Sequence, residues 1–550
     1  MNAALPLRAL GLCVLLAASA SALAQAPLML DLQLPAADTS ATLRSIAPLP
    51  AAINRDQPIL PPRLVTPAMR GAAPAALARS AGAPLAAPAS LPTPVQAHTG
   101  GTTVNVEGTG AAGIAPSDVN GAVGKTQFVQ SVNTNLAIYN KADGALLLGP
   151  FATNAVFTGF GGGDGATACR LNNVTGASVL FDKQASRWIV TQLAWAPGNT
   201  LTGPYYQCIA ISTGDDATGS YYRYVIPIRD SSGAVVFNDY PKVAVWPDAY
   251  YFTFVLFDSI QGGYRGPRAC GLDRTAMLAG QALYGRCADF GTAYGPLLAS
   301  DLDGKRLPPL GSPNFLVSLD YNADGTGDHL FLWRFAFGAN TLQGPVTIPV
   351  APFTIACPSS YGGACVQQPA PGEPLNTLAD RLMYRLAYRN FGDREALVVN
   401  HSVQQDGAAT DGPVGVRWYE LRKPNGAVTL YQQGTLAPDA DSRWMASIAM
   451  DKAGNTALGY SVSGAATAPG VRYTGRQRSE PLGRMETEDS IVEGGGVQLY
   501  TFGAWGNFSA MTVDPVDDCA FWYTQQYLAE TGFFNWRTRI ASFTFRNCAP

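Results

Sequence analysis

The sequence predicts an all-β chain folded as a β-propeller, seven-bladed and closed by an N-terminal strand. Three observations carry this: one hairpin plan recurs down the chain, the composition suits many short strands and turns, and the two ends can share one sheet. The clearest copy of the plan is DSRWMASIAMDKAGNTALGYSVSG, from Asp441 to Gly464: an entry Asp, a short apolar strand, an Asp/Gly turn and a second, alternating strand. Gly 58, Pro 40 and 10% aromatics fit such a chain, and 47% hydrophobic residues give it a large core. With 14% charged residues and a formal net charge of −3, polyanions, nucleic acid among them, are poor partners.

Taken in order, MNAALPLRALGLCVLLAASASALAQA places Arg8 before an apolar run and ends in small residues, the layout of a signal peptide over residues 1–26. Leu12 before Cys13 is not the small residue of a lipoprotein site, and no later stretch is long and apolar enough to span a bilayer. Residues 27–101 are rich in Ala, Pro and Leu and read as a disordered linker or pro-segment, with the propeller domain over 102–550. The destination is therefore outside the cytoplasm: periplasm, cell surface or medium.

Seven units follow, entered at Asp118, near Gly176, at Asp239, near Ser312, at Asp380, at Asp441 and at Asn507, about sixty to seventy residues apart. Merging or splitting the loop-rich third and fourth units would make six or eight. The extended segment TTVNVEG, from Thr102 to Gly108, is placed to add the outer strand of the last blade, since a closed ring leaves no long unpaired edge. Removing Cys13 leaves Cys169, Cys208, Cys270, Cys287, Cys357, Cys365, Cys519 and Cys548, an even set in an exported chain, and neighbours in order are the expected disulfide partners. No spacing has the paired form of a zinc site, and there are three histidines.

The motifs NDYPKVAVWPDAYY, DRLMYRLAYRNFGDREALVVNHSV, RWMASIAMDKAGNTALGYSVS, GVRYTGR and MTVDPVDDCAFWYT resemble those of a widespread group of secreted bacterial propeller-type proteins without an assigned activity. The resemblance runs from about Gly113 to Cys548 and implies fold and export rather than chemistry. Two departures stand out: Thr175 and Gly176 replace an acidic entry in the second unit, and Asn507 stands where the group usually has Asp.

Four entry acids, Asp118, Asp239, Asp380 and Asp441, are candidates for a ring of carboxylates around one mouth of the channel, able to hold a cation or polar ligand or to form acid/base pairs. The competing reading is architectural, with Asx turns satisfying strand-entry N–H groups. DYNADGTGD supplies Asp320, Asn322, Asp324 and Asp328 in the manner of the first part of a calcium loop, although Phe331 stands where a Glu ligand belongs; a solvated turn is the alternative. His401 is a further catalytic candidate, and Tyr240, Arg417, Arg443, Tyr473 and Arg476 are candidates for a cationic and phenolic lining. The aromatic groups WPDAYYF, AFWYTQQY and RWYE read as packing between blades. There is no nucleophile elbow, phosphate-cradling loop or H-E-x-x-H. The expected role is a binding module for an extracellular or cell-envelope glycan or protein. A polysaccharide hydrolase or lyase at the channel mouth and a structural envelope protein are the alternatives.

Overall fold

The computed structural model describes residues 27–46, 63–71 and 99–548, except 112, 175, 197, 199, 200, 425, 500 and 501. The signal-peptide reading, Thr175 and much of the proposed linker fall outside the described residues. What is described forms seven antiparallel blades of four strands. Their innermost strands are Asn120–Val123, Ser178–Asp182, Phe237–Val245, Leu297–Asp303, Met383–Asn390, Ser442–Met450 and Ala510–Val513. Each packs on the next and the seventh packs on the first, so the ring closes. Blades 4 and 5 go further: Ser300–Asp303 pair in parallel with Leu386–Arg389, joining the two sheets.

Closure is made as expected. Thr99–Glu107 pairs antiparallel with Arg537–Phe545 and becomes the outer strand of blade 7. Val104 and Val106 pack there with Phe128 and Tyr139 of blade 1 and Trp522 and Ile540 of blade 7. Disulfides join Cys169 to Cys208, Cys270 to Cys287, Cys357 to Cys365 and Cys519 to Cys548, each to its neighbour in the sequence. Cys270 and Cys287 face one another across adjacent strands of blade 3.

Two expectations need correcting. The fourth blade begins with LLASDLD, not near Ser312; the strand Asn314–Leu319 is its second. The repeat was obscured because the innermost strand leads into the loop 304–313 rather than into a tight Asp/Gly turn. The proposed disordered segment is also partly structured. Leu28–Leu34 adds a fifth strand to blade 3 against Leu283–Asp289, Asp38 and Thr39 pair with the outer strand of blade 2, and residues 63–71 bond to blades 3, 4 and 5. LMLDLQL has strand alternation of its own, and an outer strand with a free edge is a favourable partner for it.

The core lies between blades, as the aromatic groups predicted. Trp246 of blade 3 meets Phe315 and Tyr388 edge-on, and Trp522 stacks on Phe128 across the closure.

Candidate functional site

The innermost strands of blades 3, 5 and 6 carry bulges near their entry ends, where the register shifts between Asp239 and Lys242, Met383 and Ala387, and Trp444 and Ser447. A bulge inserts residues on one strand and re-aims side chains. Tyr240 and Met445 lie within the bulges of blades 3 and 6 with positive φ, 53° and 51°, and Asp118 and Asn507 have φ of 45° and 60° at the entries of blades 1 and 7. Aligned on these left-handed residues, Asp118 occupies the marked position, Asp239 precedes it by one residue, and Asp441 lies well ahead of it. The four entry acids are therefore not equivalent, and the expected symmetric ring of carboxylates does not form.

Their partners separate them. Asp380 accepts from Arg381 Nε and Nη2, both at 2.8 Å, and from the Val65 N–H at 2.7 Å. Asp441 accepts from the Thr467 hydroxyl at 2.6 Å, closing its own blade's loop. These two are fastenings. Asp118 instead accepts from Asn507 Nδ2 at 2.8 Å, a bond between blades 1 and 7, and the half-buried Asp239 accepts from the Tyr240 N–H at 2.8 Å.

Asp118 and Asp239 both act on Lys242, which heads the apolar run KVAVW and is 5% exposed. Its ammonium lies 3.4 Å from the Phe508 ring centroid and 4.3 Å from that of Tyr240, and donates to the Pro241 carbonyl at 3.2 Å. The two rings are 5.0 Å apart. Burial pushes the Lys242 pKa down to about 7; the Asp118 and Asp239 carboxylates hold it up and the Arg381 guanidinium lowers it further. Arg381 lies 4.6 Å over the Tyr240 ring. Burial also raises the Tyr240 phenol well above its usual range, so it serves as a neutral donor, to the Leu382 carbonyl at 3.1 Å.

Deeper along the innermost strands the channel is tied across. Arg385 donates to Asp301 at 2.6 Å and to the Met511 carbonyl at 3.0 Å and pairs with Asp303 at 2.9 Å, linking blades 4, 5 and 7. Lys183 also pairs with Asp303, and Arg389 holds Asp518 through two bonds of 2.8 and 2.7 Å. Below the entry cluster the channel is thus charged and crosslinked. The mouth combines two carboxylates, the Asn507 amide, an amine that changes charge near neutrality and an aromatic pair, an arrangement that can bind hydroxyl groups or move a proton.

The other predicted residues lie elsewhere. His401 is buried between Phe353 and Tyr419, its Nε2 2.9 Å from the Tyr419 hydroxyl, and burial holds it neutral with a pKa well below the usual range. It is a packing residue, not a catalytic one. Arg417 donates to Thr435 at 2.7 Å within blade 5; Tyr473 stacks on Phe543 at 3.9 Å; Arg476 donates to the Glu480 carbonyl at 2.7 Å. Arg443 belongs to a network on blade 6 with Asp439 and Glu488, where Glu488 also holds Arg472 at 2.6 Å. Of that proposed lining only Tyr240 reaches the mouth. The calcium loop is a turn in which Asp320 faces Arg70 at 2.8 Å and His329 Nε2 at 3.2 Å, Asp328 meets His329 Nδ1 at 2.7 Å, and Asp324 caps Thr326. Asp320 and Asp328 are thus engaged by Arg70 and His329 and Asp324 by Thr326, and no group of three or more metal-ligating side chains forms among the described residues. Lys242, Phe508 and Arg381 were missed in the sequence, although a lysine heading the run KVAVW was a usable signal.

No family model and no curated protein matches the chain. Similar solved structures include a polysaccharide lyase, a PL25 ulvan lyase bound to -[GlcA(1-4)Rha3S]-, at 10% identity over 79% of this chain and 96% of that one, with TM-score 0.38. Others are an exo-β-1,3-galactanase from Clostridium thermocellum (9% identity, 67% and 83% covered, TM-score 0.32) and a Hadza microbial sialidase (8%, 77% and 74%, TM-score 0.34). At these scores they bear on neither the activity nor the ligand of this chain.

Proposed function

We propose that this chain is an exported binding propeller that takes a polyhydroxylated, glycan-type ligand at the mouth of its channel. The observation that carries the reading is the convergence of Asp118, Asp239, Asn507 and Lys242 from blades 1, 3 and 7 around the Tyr240 and Phe508 rings, above the crosslinked channel. Asp239 and Asn507 are its partly exposed members and would take the first hydroxyls, the carboxylate accepting and the amide donating. Four disulfides support an oxidising compartment, and among the described residues no helix is long and apolar enough to cross a membrane. The signal layout supports periplasm, cell surface or medium, and the resemblance to secreted bacterial propellers supports the same destination.

The test is a glycan array followed by thermal shift on the mature protein, beside Asp239→Asn. Selective binding to the native state raises the melting temperature, and the variant should bind at least tenfold more weakly while folding normally. A folded variant that binds as the wild type does would move the site to the outer loops. A chain that binds no glycan would leave a protein ligand or a structural envelope role.

Lys242 favours one second reading. An amine whose proton is balanced near neutrality, beside two carboxylates, is suited to general acid/base work on a polysaccharide, as in a hydrolase or lyase. Incubation with the array ligand would then create new chain ends, at a rate lost in Lys242→Met. Binding without new ends keeps the binding role alone.

A further inference from the structure

Residues 63–71 lie at the same end of the ring as the Lys242 cluster and bridge three blades. Arg63 donates to the carbonyls of Ser259 at 3.0 Å, Ile260 at 2.9 Å and Gly262 at 2.5 Å, and its guanidinium covers the Phe257 ring at 3.5 Å, so this end is fastened to blade 3. Val65 is buried; its N–H donates to Asp380 at the entry of blade 5, and its carbonyl accepts from the Tyr321 hydroxyl of blade 4 at 2.9 Å. Arg70 pairs with Asp320 at 2.8 Å and donates to the Tyr321 carbonyl at 2.6 Å, and the Gly71 N–H donates to the Thr292 carbonyl at 3.0 Å. A segment whose Val65 N–H and carbonyl are both satisfied by buried side chains of the ring is docked, not merely passing over it.

The docked segment touches the site directly. Arg381 Nη2 donates to the Arg63 carbonyl at 2.5 Å, and the same guanidinium covers the Tyr240 ring that packs under the Lys242 ammonium. Asp239 stabilises the positive charge of both Arg63 and Lys242. Strap and ligand site therefore share Arg381 and Asp239.

We propose that residues 63–71 form an intramolecular strap that closes the channel mouth, so that a ligand reaches Asp239 and Lys242 fully only when the strap is released. This rests on the reading of the mouth as the ligand site. The strap is a peptide with two basic anchors, Arg63 and Arg70, around an apolar one, Val65. A ligand that outcompetes it must displace the Arg63 carbonyl from Arg381 and take over the charge of Asp239.

The test is acylation of Lys242 in the folded full-length chain by a small amine-reactive ester at pH 8, followed by mass spectrometry. Wild type is compared with Arg63→Ala/Arg70→Ala and with Arg70→Ala alone, the milder change should the double variant not fold. Lys242 should react at least tenfold faster in the double variant and several-fold faster in the single one, with an excess of a peptide of residues 62–72 slowing it again. An unchanged rate in the folded variants would overturn the strap. The readout needs no glycan: faster acylation in a protein that binds no glycan removes the ligand reading and leaves the strap, whereas glycan binding with unchanged acylation does the reverse.

Discussion

Lys242 ties its residue-scale chemistry to stability. Its pKa in the folded chain, about 7, lies below that of an unfolded lysine, so between about pH 7 and 10 the unfolded chain binds more protons and stability rises with pH. The slope should reach about 1.4 kcal/mol per pH unit and be absent from Lys242→Met, as comparison of denaturant midpoints at pH 7 and 9 would show. Asp451 has the opposite sign. Burial raises its pKa to about 6 although Asn455 donates to it at 2.9 and 2.7 Å, so its stabilisation is complete below about pH 4 and lost as pH rises through 6; Asp451→Asn should flatten that fall. Adding or chelating calcium should leave the melting temperature unchanged, because Asp320 and Asp328 are already matched by Arg70 and His329. A rise of several degrees with calcium would contradict that pairing. Part of this site was legible in the residues. Asp118, Asp239 and Tyr240 stand in recurring entry motifs, whereas Asp380 and Asp441 looked identical to them because a sequence does not show where a bulge shifts the register. His401 read as a catalytic candidate, and Arg417 and Tyr473 as a lining, for the reverse reason: alternation places a side chain on a face of its strand without saying that the next blade covers that face.

At the scale of elements, crosslinks and added strands hold the ends of the chain. Cys519–Cys548 encloses 29 residues of separation and Cys357–Cys365 only 8, so loop entropy alone makes the first worth about 1 kcal/mol more. Cys519→Ser/Cys548→Ser should accordingly lower the denaturation midpoint more than Cys357→Ser/Cys365→Ser; the opposite order would mean that the termini are held chiefly by the Thr99–Glu107 ladder. The order of pairing could be read from the cysteines because the partners of each pair are consecutive and only 8 to 39 residues apart. The strand Leu28–Leu34 was harder to recognise: its leucines alternate, but Pro/Ala-rich flanks mask a short pattern, and only the free edge of Leu283–Asp289 gives it a place. The same holds for Arg63 and Arg70, whose partners are loop carbonyls and an aspartate about 200 to 250 residues away.

For the whole molecule the decisive feature is ring closure between blades 7 and 1. Val104 of the N-terminal strand packs with Phe128, Trp522 and Ile540 at that seam. Val104→Asp would bury an unpaired charge there and should cost about 3 kcal/mol or more, moving the whole unfolding transition; a separate early step would show that the closing blade folds apart from the ring. The seven-fold plan was visible in the hairpin repeats except in blade 4, where the loop 304–313 replaces the expected turn. The central claim is that function resides at the channel mouth, and hydrogen–deuterium exchange with the best array ligand tests it most directly. Protection is expected at residues 117–120, 237–245 and 505–509, with increased exchange over 63–71 as the strap lifts. Protection confined to the outer strands, or to loops at the opposite end around Lys183 and Asp518, would contradict it.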